Sequence, residues 1–173
     1  MLFKILGAIL VIFSSTMIGF IIAGYYQQRP RTLRNLQQAL SMLETEIDYG
    51  QTPLPEALKN VSRSCDPEIS KFLERVRQLL LSIEGFTAGE AWEKSLREFR
   101  SQFPLQESDF EILTSFGKYL GSSDKDDQIR NLKLTLSQLR QQEVLAVEEK
   151  QKNEKMWRYL GVLTGLTVVL LLY

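Results

Sequence analysis

The strongest constraint on this chain is where its charge is missing. Residues 5–28 contain no charged side chain, and neither do residues 159–173. Apart from Lys4, every Asp, Glu, Lys and Arg lies between Arg29 and Arg158. Two apolar ends around one polar middle predict a water-soluble body gripped by a bilayer at its start and its finish. As a helix rising ~1.5 Å per residue, the first segment reaches ~36 Å, enough to cross a hydrocarbon layer of ~30 Å with some tilt. It exceeds the apolar core of a signal peptide, and Ile21, Ile22 and Ala23 form a poor cleavage site, so a retained anchor is expected. The second segment reaches only ~22 Å. It either spans a locally thinned layer or ends buried against protein, and the span is the reading carried forward. The expected organisation is a transmembrane helix over 1–28, a helical bundle over 29–157 and a second transmembrane helix over 158–173.

The flanking residues orient this arrangement. Arg29, Arg31 and Arg34 follow the first segment, and Lys150, Lys152, Lys155 and Arg158 precede the second, whereas the far side has only Lys4 and the α-amino group. Basic residues collect on the cytoplasmic side, so the bundle is expected to face the cytoplasm. Arg29, Arg31, Arg34, Lys155, Trp157 and Arg158 are expected at the membrane interface, where each cation near anionic lipid contributes ~1 kcal/mol. Ser15, Gly19 and Ala23 recur at four-residue spacing, as do Gly161 and Gly165. Such rows let helices pack closely in lipid, although glycine is common in membrane helices for other reasons too.

Composition narrows the chemistry. With 21 basic and 21 acidic residues and zero net charge, no broad basic surface awaits nucleic acid. Histidine is absent, which removes the usual neutral-pH base and the commonest metal ligand. Cys65 is the one cysteine, so neither an intrachain disulfide nor a cysteine cluster can form. Glu44, Glu46 and Asp48 read as a solvated acidic face. Asp124, Asp126 and Asp127 lack the glycine and terminal Glu of a calcium loop and read as helix-start acids. No phosphate-binding loop or nucleophile elbow is present. No catalytic residue, metal, cofactor or small-molecule substrate is expected.

The middle reads as helix throughout. Leu33, Leu36, Leu40, Leu43 and Ile47 form one face of a helix that Gly50 can end. Pro53 and Pro55 open a short second helix. Asp66 and Pro67 start a third, with Ile69, Phe72, Leu73, Val76, Leu80 and Ile83 on one face and Gly85 as its stop. Thr87 and Glu90 have capping-box spacing before Trp92, Leu96, Phe99 and Phe103, and Pro104 breaks that run. Phe110, Leu113, Phe116 and Leu120 form a fifth helix closed by Gly121. Ser123 or Asp124 caps a sixth, which carries Ile129, Leu132, Leu136 and Leu139. The aromatic residues read as core. The expected fold is all-α, a six-helix antiparallel bundle flanked by an N-terminal and a C-terminal membrane helix. A faint echo between residues 50–58 and 85–92 would make two three-helix halves.

Four segments in order resemble the stage III sporulation protein AB family of endospore-forming bacteria. They are Arg29, Pro30 and Arg31; Glu44 to Gly50 running into Thr52, Pro53 and Leu54; Phe116 to Asp124 with Gln128; and Asn153 to Leu163. The resemblance covers nearly the whole chain. It implies a mother-cell membrane component of the apparatus linking mother cell and forespore, with a bundle similar to the cytoplasmic domains of F-type type II secretion proteins. It also implies a secretion-type ATPase as partner, the stage III sporulation protein AA, together with membrane lipid and other channel components. Partner contacts are expected at Tyr49, Gly50, Thr52 and Pro53, and at Phe116, Gly117, Leu120, Gly121 and Asp124. Glycines there also serve turns and close packing. The leading expectation is a non-enzymatic scaffold; a self-assembling structural membrane protein, or a regulator unrelated to an ATPase, is the alternative.

Overall fold

The computed structural model describes residues 13, 14, 17, 24, 27–50, 52–121 and 124–172, without the side chains at 49, 50, 158, 161, 162, 165, 166, 171 and 172. Six helices are described: α1 (Gln28–Gly50), α2 (Leu54–Ser62), α3 (Pro67–Leu80), α4 (Ala88–Glu98), α5 (Glu107–Tyr119) and α6 (Lys125–Leu172). No strand occurs among the described residues. The chain divides into two compact units. One is Arg31–Glu143; the other combines Met1–Pro30 with Val144–Tyr173.

In the Arg31–Glu143 unit, sequence period becomes core directly. Leu33, Leu36, Leu40 and Leu43 of α1 are each at most 1% exposed. Ala57, Leu58 and Val61 of α2, Ile69, Phe72, Leu73 and Val76 of α3, and Leu132 and Leu139 of α6 are likewise buried and belong to the same apolar set. Each fully buried side chain of this kind contributes ~1.5–3 kcal/mol. Successive helices pack in pairs, α2 on α3, α3 on α4 and α4 on α5. Helices α1 and α6 run antiparallel. As α1 advances from Arg34 to Glu44 to Asp48, its ionic partners on α6 retreat from Glu143 to Lys133 to Lys125.

The aromatic residues build the centre of α3, α4 and α5. Phe72 meets Trp92 edge-on at 4.9 Å, and Trp92 meets Phe116 at 5.0 Å. Phe72 also touches Phe99 and Phe103 at 5.9 and 5.7 Å. Trp92 is fully buried, and its indole N–H donates to the Leu113 carbonyl at 2.8 Å, so its polar end is satisfied. The capping box at Thr87 and Glu90 forms as expected.

Two helix ends differ from the sequence reading. Helix α3 stops at Leu80, and Ile83, expected on its apolar face, stands fully exposed in the following turn. The cause is Ser82: its amide and hydroxyl both donate to the Leu79 carbonyl, at 3.2 and 2.7 Å, and draw the chain out of the helix. Helix α4 ends at Glu98, well before Pro104, because residues 99–103 close into turns through Phe99 and seat Phe99 and Phe103 on Phe72.

In the other unit, Arg29 pairs with Glu149 at 2.9 Å, and α6 continues unbroken to Leu172. Among the described residues, no helix is long and apolar enough to cross a membrane. The expected first span, 1–28, falls almost wholly outside those residues.

Candidate functional site

Gly121 organises one end of the Arg31–Glu143 unit. Its φ of 74° is a conformation that glycine adopts without steric penalty, and it turns the chain from α5 towards α6. A Cβ placed on it would lie 2.7 Å from Cβ of Ala88 and 4.0 Å from Cδ2 of Leu54. Gly121, just past the end of α5, is therefore pressed against the first residues of α4 and α2, the two helix starts that share the sequence echo. Lys125, which opens α6, pairs with the Asp48 carboxylate at 3.3 Å and also donates to the Asp48 carbonyl. Three connections thus meet at this end: the α1–α2 turn, residues 81–87 and the α5–α6 turn.

One turn back, the packing is tighter still. A Cβ on Gly117 would stand 2.5 Å from Cδ1 of Trp92, and one on Gly89 2.8 Å from the Gly117 carbonyl oxygen. Helices α4 and α5 therefore cross with their backbones in near contact, which only glycine permits at both positions.

The sequence-nominated contact residues separate by depth. Tyr49 and Gly50 are helical and complete α1, with side chains outside the description. Thr52 is half-buried. Pro53 is exposed and begins α2, its carbonyl accepting from the amides of Glu56 and Ala57 at 2.8 and 3.0 Å. Gly121 and Asp124 are exposed, and Asp124 Oδ1 accepts from the Lys125 amide. Phe116, Gly117 and Leu120 are buried and shape this end from within. Ser123, the other expected cap, lies outside the described residues.

The interface and packing residues are placed as follows. Arg29 is buried on Glu149. Arg31 pairs with Asp66 at 3.2 Å, and Arg34 reaches Glu143 through both Nε and Nη2 at 2.9 and 2.7 Å. Lys155 is exposed and Trp157 half-buried. The Arg158 side chain is outside the description, as are Ser15, Gly19 and Ala23 entirely and the side-chain surroundings of Gly161 and Gly165.

Sequence reading missed Leu81 and Ile83, both exposed at this end. The signal was present in Ser82 and Gly85, which bracket Ile83 with turn formers. It was masked because position 83 continues the apolar spacing of Leu79 and Leu80.

The charged groups of the bundle are largely paired with one another. Glu46 accepts from Asn60 at 3.3 Å and Glu44 lies 3.7 Å from Lys133, so the acidic run of α1 joins helices together. The backbone amide of Thr87, then its hydroxyl, bonds Glu90 and holds its carboxyl below the usual range. Burial, aided by the Asp66 charge, pushes the Cys65 thiol up, so at neutral pH it is a thiol and a poor nucleophile. Among the described residues, no group of His, Cys, Asp and Glu is arranged to hold a metal ion.

Comparison with known proteins agrees with this architecture. A family model described as Stage III sporulation protein AB matches residues 4–173. The Stage III sporulation protein AB of Bacillus subtilis (strain 168) is 37% identical over 169 residues, covering 98% of each chain. A solved structure of a Stage III sporulation protein AB superposes with a TM-score of 0.67 at 33% identity, over 72% of this chain and 97% of that one. The chain belongs to the stage III sporulation protein AB family.

Proposed function

We propose that this protein is a non-enzymatic, membrane-held scaffold of the apparatus joining mother cell and forespore. In this reading the Arg31–Glu143 bundle faces the mother-cell cytoplasm and docks a secretion-type ATPase, by resemblance the stage III sporulation protein AA. The observation that carries it is the convergence of three connections at the end of the bundle opposite its chain crossings. The chain passes into and out of this unit at Arg31 and Glu143, and Arg34 bonded to Glu143 marks that end. The far end presents exposed side chains at Pro53, Lys118 and Asp124. Turns of defined shape on a rigid helical frame are common binding elements.

Two features of α6 support the membrane part. Tyr159, Leu160, Leu163 and Leu170 are exposed apolar side chains on its last third, which water disfavours and lipid accepts. Thr164 and Thr167 return their hydroxyls to the carbonyls of Leu160 and Leu163 at 2.7 and 2.8 Å, so neither needs water as a partner. The uncharged run over residues 5–28 supplies the second attachment.

The test is a titration of the purified ATPase onto the full chain in lipid nanodiscs. Asp124→Arg and Lys118→Glu, both at the far end, are expected to weaken binding by about tenfold each. Ser101→Arg, at the opposite end, is expected to leave it unchanged. Binding that is lost with Ser101→Arg and indifferent to the other two would refute the docking end. Concentration-dependent oligomers with no affinity for the ATPase would favour a self-assembling structural protein.

A further inference from the structure

The bundle sorts its charge between its two ends. Arg31 Nη2 lies 3.2 Å from Asp66 Oδ2, which ties the α2–α3 turn to the start of α1 and sets it at the end where the chain enters and leaves this unit. The Ser64 and Cys65 amides close that turn on the Val61 and Ser62 carbonyls, at 3.0 and 3.5 Å. Arg63 is exposed at its corner and Lys71 is exposed one turn into α3, and neither has an acidic partner among the described residues. Of the carboxylates here, Asp66 is engaged by Arg31 and by the Glu68 amide, which leaves Glu68 exposed against two unpaired cations. The α4–α5 turn adds no charge over residues 101–106, and Ser108 just after it reaches Gln142 at 3.4 Å, next to Glu143. Cations are in excess at this end.

The opposite end has the reverse sign. Asp124, Asp126 and Asp127 are exposed at the start of α6, and Lys125 among them is already engaged by the Asp48 carboxylate. At ~1.5 Å per residue, α6 covers ~27 Å between Lys125 and Glu143, about three Debye lengths in physiological salt. A bundle standing with its α2–α3 turn on an anionic surface therefore keeps these carboxylates beyond the surface potential, whereas one lying on its side brings them into it. Chain continuity selects the surface. The residues leaving the cationic end run into the uncharged stretch 5–28 and into the exposed apolar last third of α6.

We propose that the α2–α3 turn, through Arg63 with Arg31 and Lys71, rests on the anionic headgroups of the membrane that holds the chain, while the carboxylates opening α6 keep the opposite end off that surface. This rests on the membrane-held reading above and adds to it a contact made by the folded body itself.

The experiment places the full chain, with Cys65→Ser and a donor fluorophore on Ser101→Cys, in nanodiscs carrying an acceptor on their headgroups. Arg63, Lys71, Asp126 and Asp127 are all exposed, so variants there should keep the circular dichroism of the unmodified chain. Energy transfer is expected to be greater in discs containing phosphatidylglycerol than in discs of phosphatidylcholine alone, and the difference to vanish in about 0.5 M salt. Arg63→Gln and Lys71→Gln should each lower the ratio of resting to raised bundles about fivefold in the anionic discs and change nothing in the neutral ones. A donor on Ser115→Cys, towards the other end, should show low transfer in both discs, rising in the anionic ones when Asp126→Lys and Asp127→Lys are combined. Equal transfer from Ser101→Cys in the two kinds of disc would overturn the lipid contact and leave the membrane-held reading standing; a chain that enters neither disc brings down both. A phosphatidylglycerol effect untouched by Arg63→Gln and Lys71→Gln belongs to other cations and equally sinks the role of this turn. High transfer from Ser115→Cys in the otherwise unmodified chain would contradict the standing bundle.

Discussion

Gly117 shows how one missing methyl group sets the distance between two helices. Replacing it by Ala would gain about 1 kcal/mol of helix propensity, because glycine is the poorer helix former. The added Cβ would stand 2.5 Å from Cδ1 of Trp92, a contact no real Cβ makes without displacement. The indole cannot retreat easily: it is fully buried, hydrogen-bonded to the Leu113 carbonyl, and enclosed by Phe72 and Phe116. Overpacking against so fixed a ring costs about 1–3 kcal/mol and outweighs or cancels the propensity gain. Gly117→Ala is therefore expected to give no gain in stability and a loss of up to about 2 kcal/mol in urea unfolding, against the direction that propensity alone would give. A stabilised variant would show that α4 and α5 are not in such close contact. The glycines at 117 and 121 were legible as turn or packing positions, but their partners Trp92 and Ala88 were not, since no local pattern couples residues that distant.

At the scale of elements, the α1–α6 pair carries a pH signature. Glu143 is 17% exposed and lies between Arg34 and Gln37. Burial alone would raise its pKa. The hydrogen bonds from Arg34 and Gln37, with the charges of Arg34 and Arg140, outweigh that and hold it below the ordinary 4.5. A carboxyl depressed on folding contributes stability above its unfolded pKa and loses it as pH falls through the folded value. The contribution is thus intact at neutral pH and disappears below about pH 4.5. Glu143→Gln should lower the melting temperature at pH 7 and reduce the fall in melting temperature below that pH. An unchanged acid limb would contradict the pairing of these helices. Elements whose determinants are local were readable in advance: the Thr87–Glu90 box uses partners three residues apart, and the face of Leu33, Leu36, Leu40 and Leu43 follows helical period. The end of α3 was not, because apolar spacing continues through Ile83 while one serine hydroxyl diverts the backbone. An antiparallel bundle was implied by the short loops, yet the pairing of α1 with α6 and its register appear only through pairs such as Glu44 with Lys133.

Across the whole molecule, sequence reading selected residues 49–53 and 116–124 separately. The structure brings them together through Gly121, Leu54, Asp48 and Lys125, and adds the start of α4 at Ala88 as a third contributor. The proposed role needs this end to be reachable from the cytoplasm while the apolar ends hold the chain in lipid. Single-cysteine labelling in intact cells addresses that requirement directly. With Cys65→Ser as background, Ser101→Cys and Asp126→Cys place thiols at exposed positions towards opposite ends of the bundle. Both should react with a membrane-permeant maleimide and resist an impermeant one until the cells are opened, and Asp126→Cys should gain protection when the ATPase is present. Labelling of either thiol by the impermeant reagent in sealed cells would place the bundle on the outer face and contradict the account.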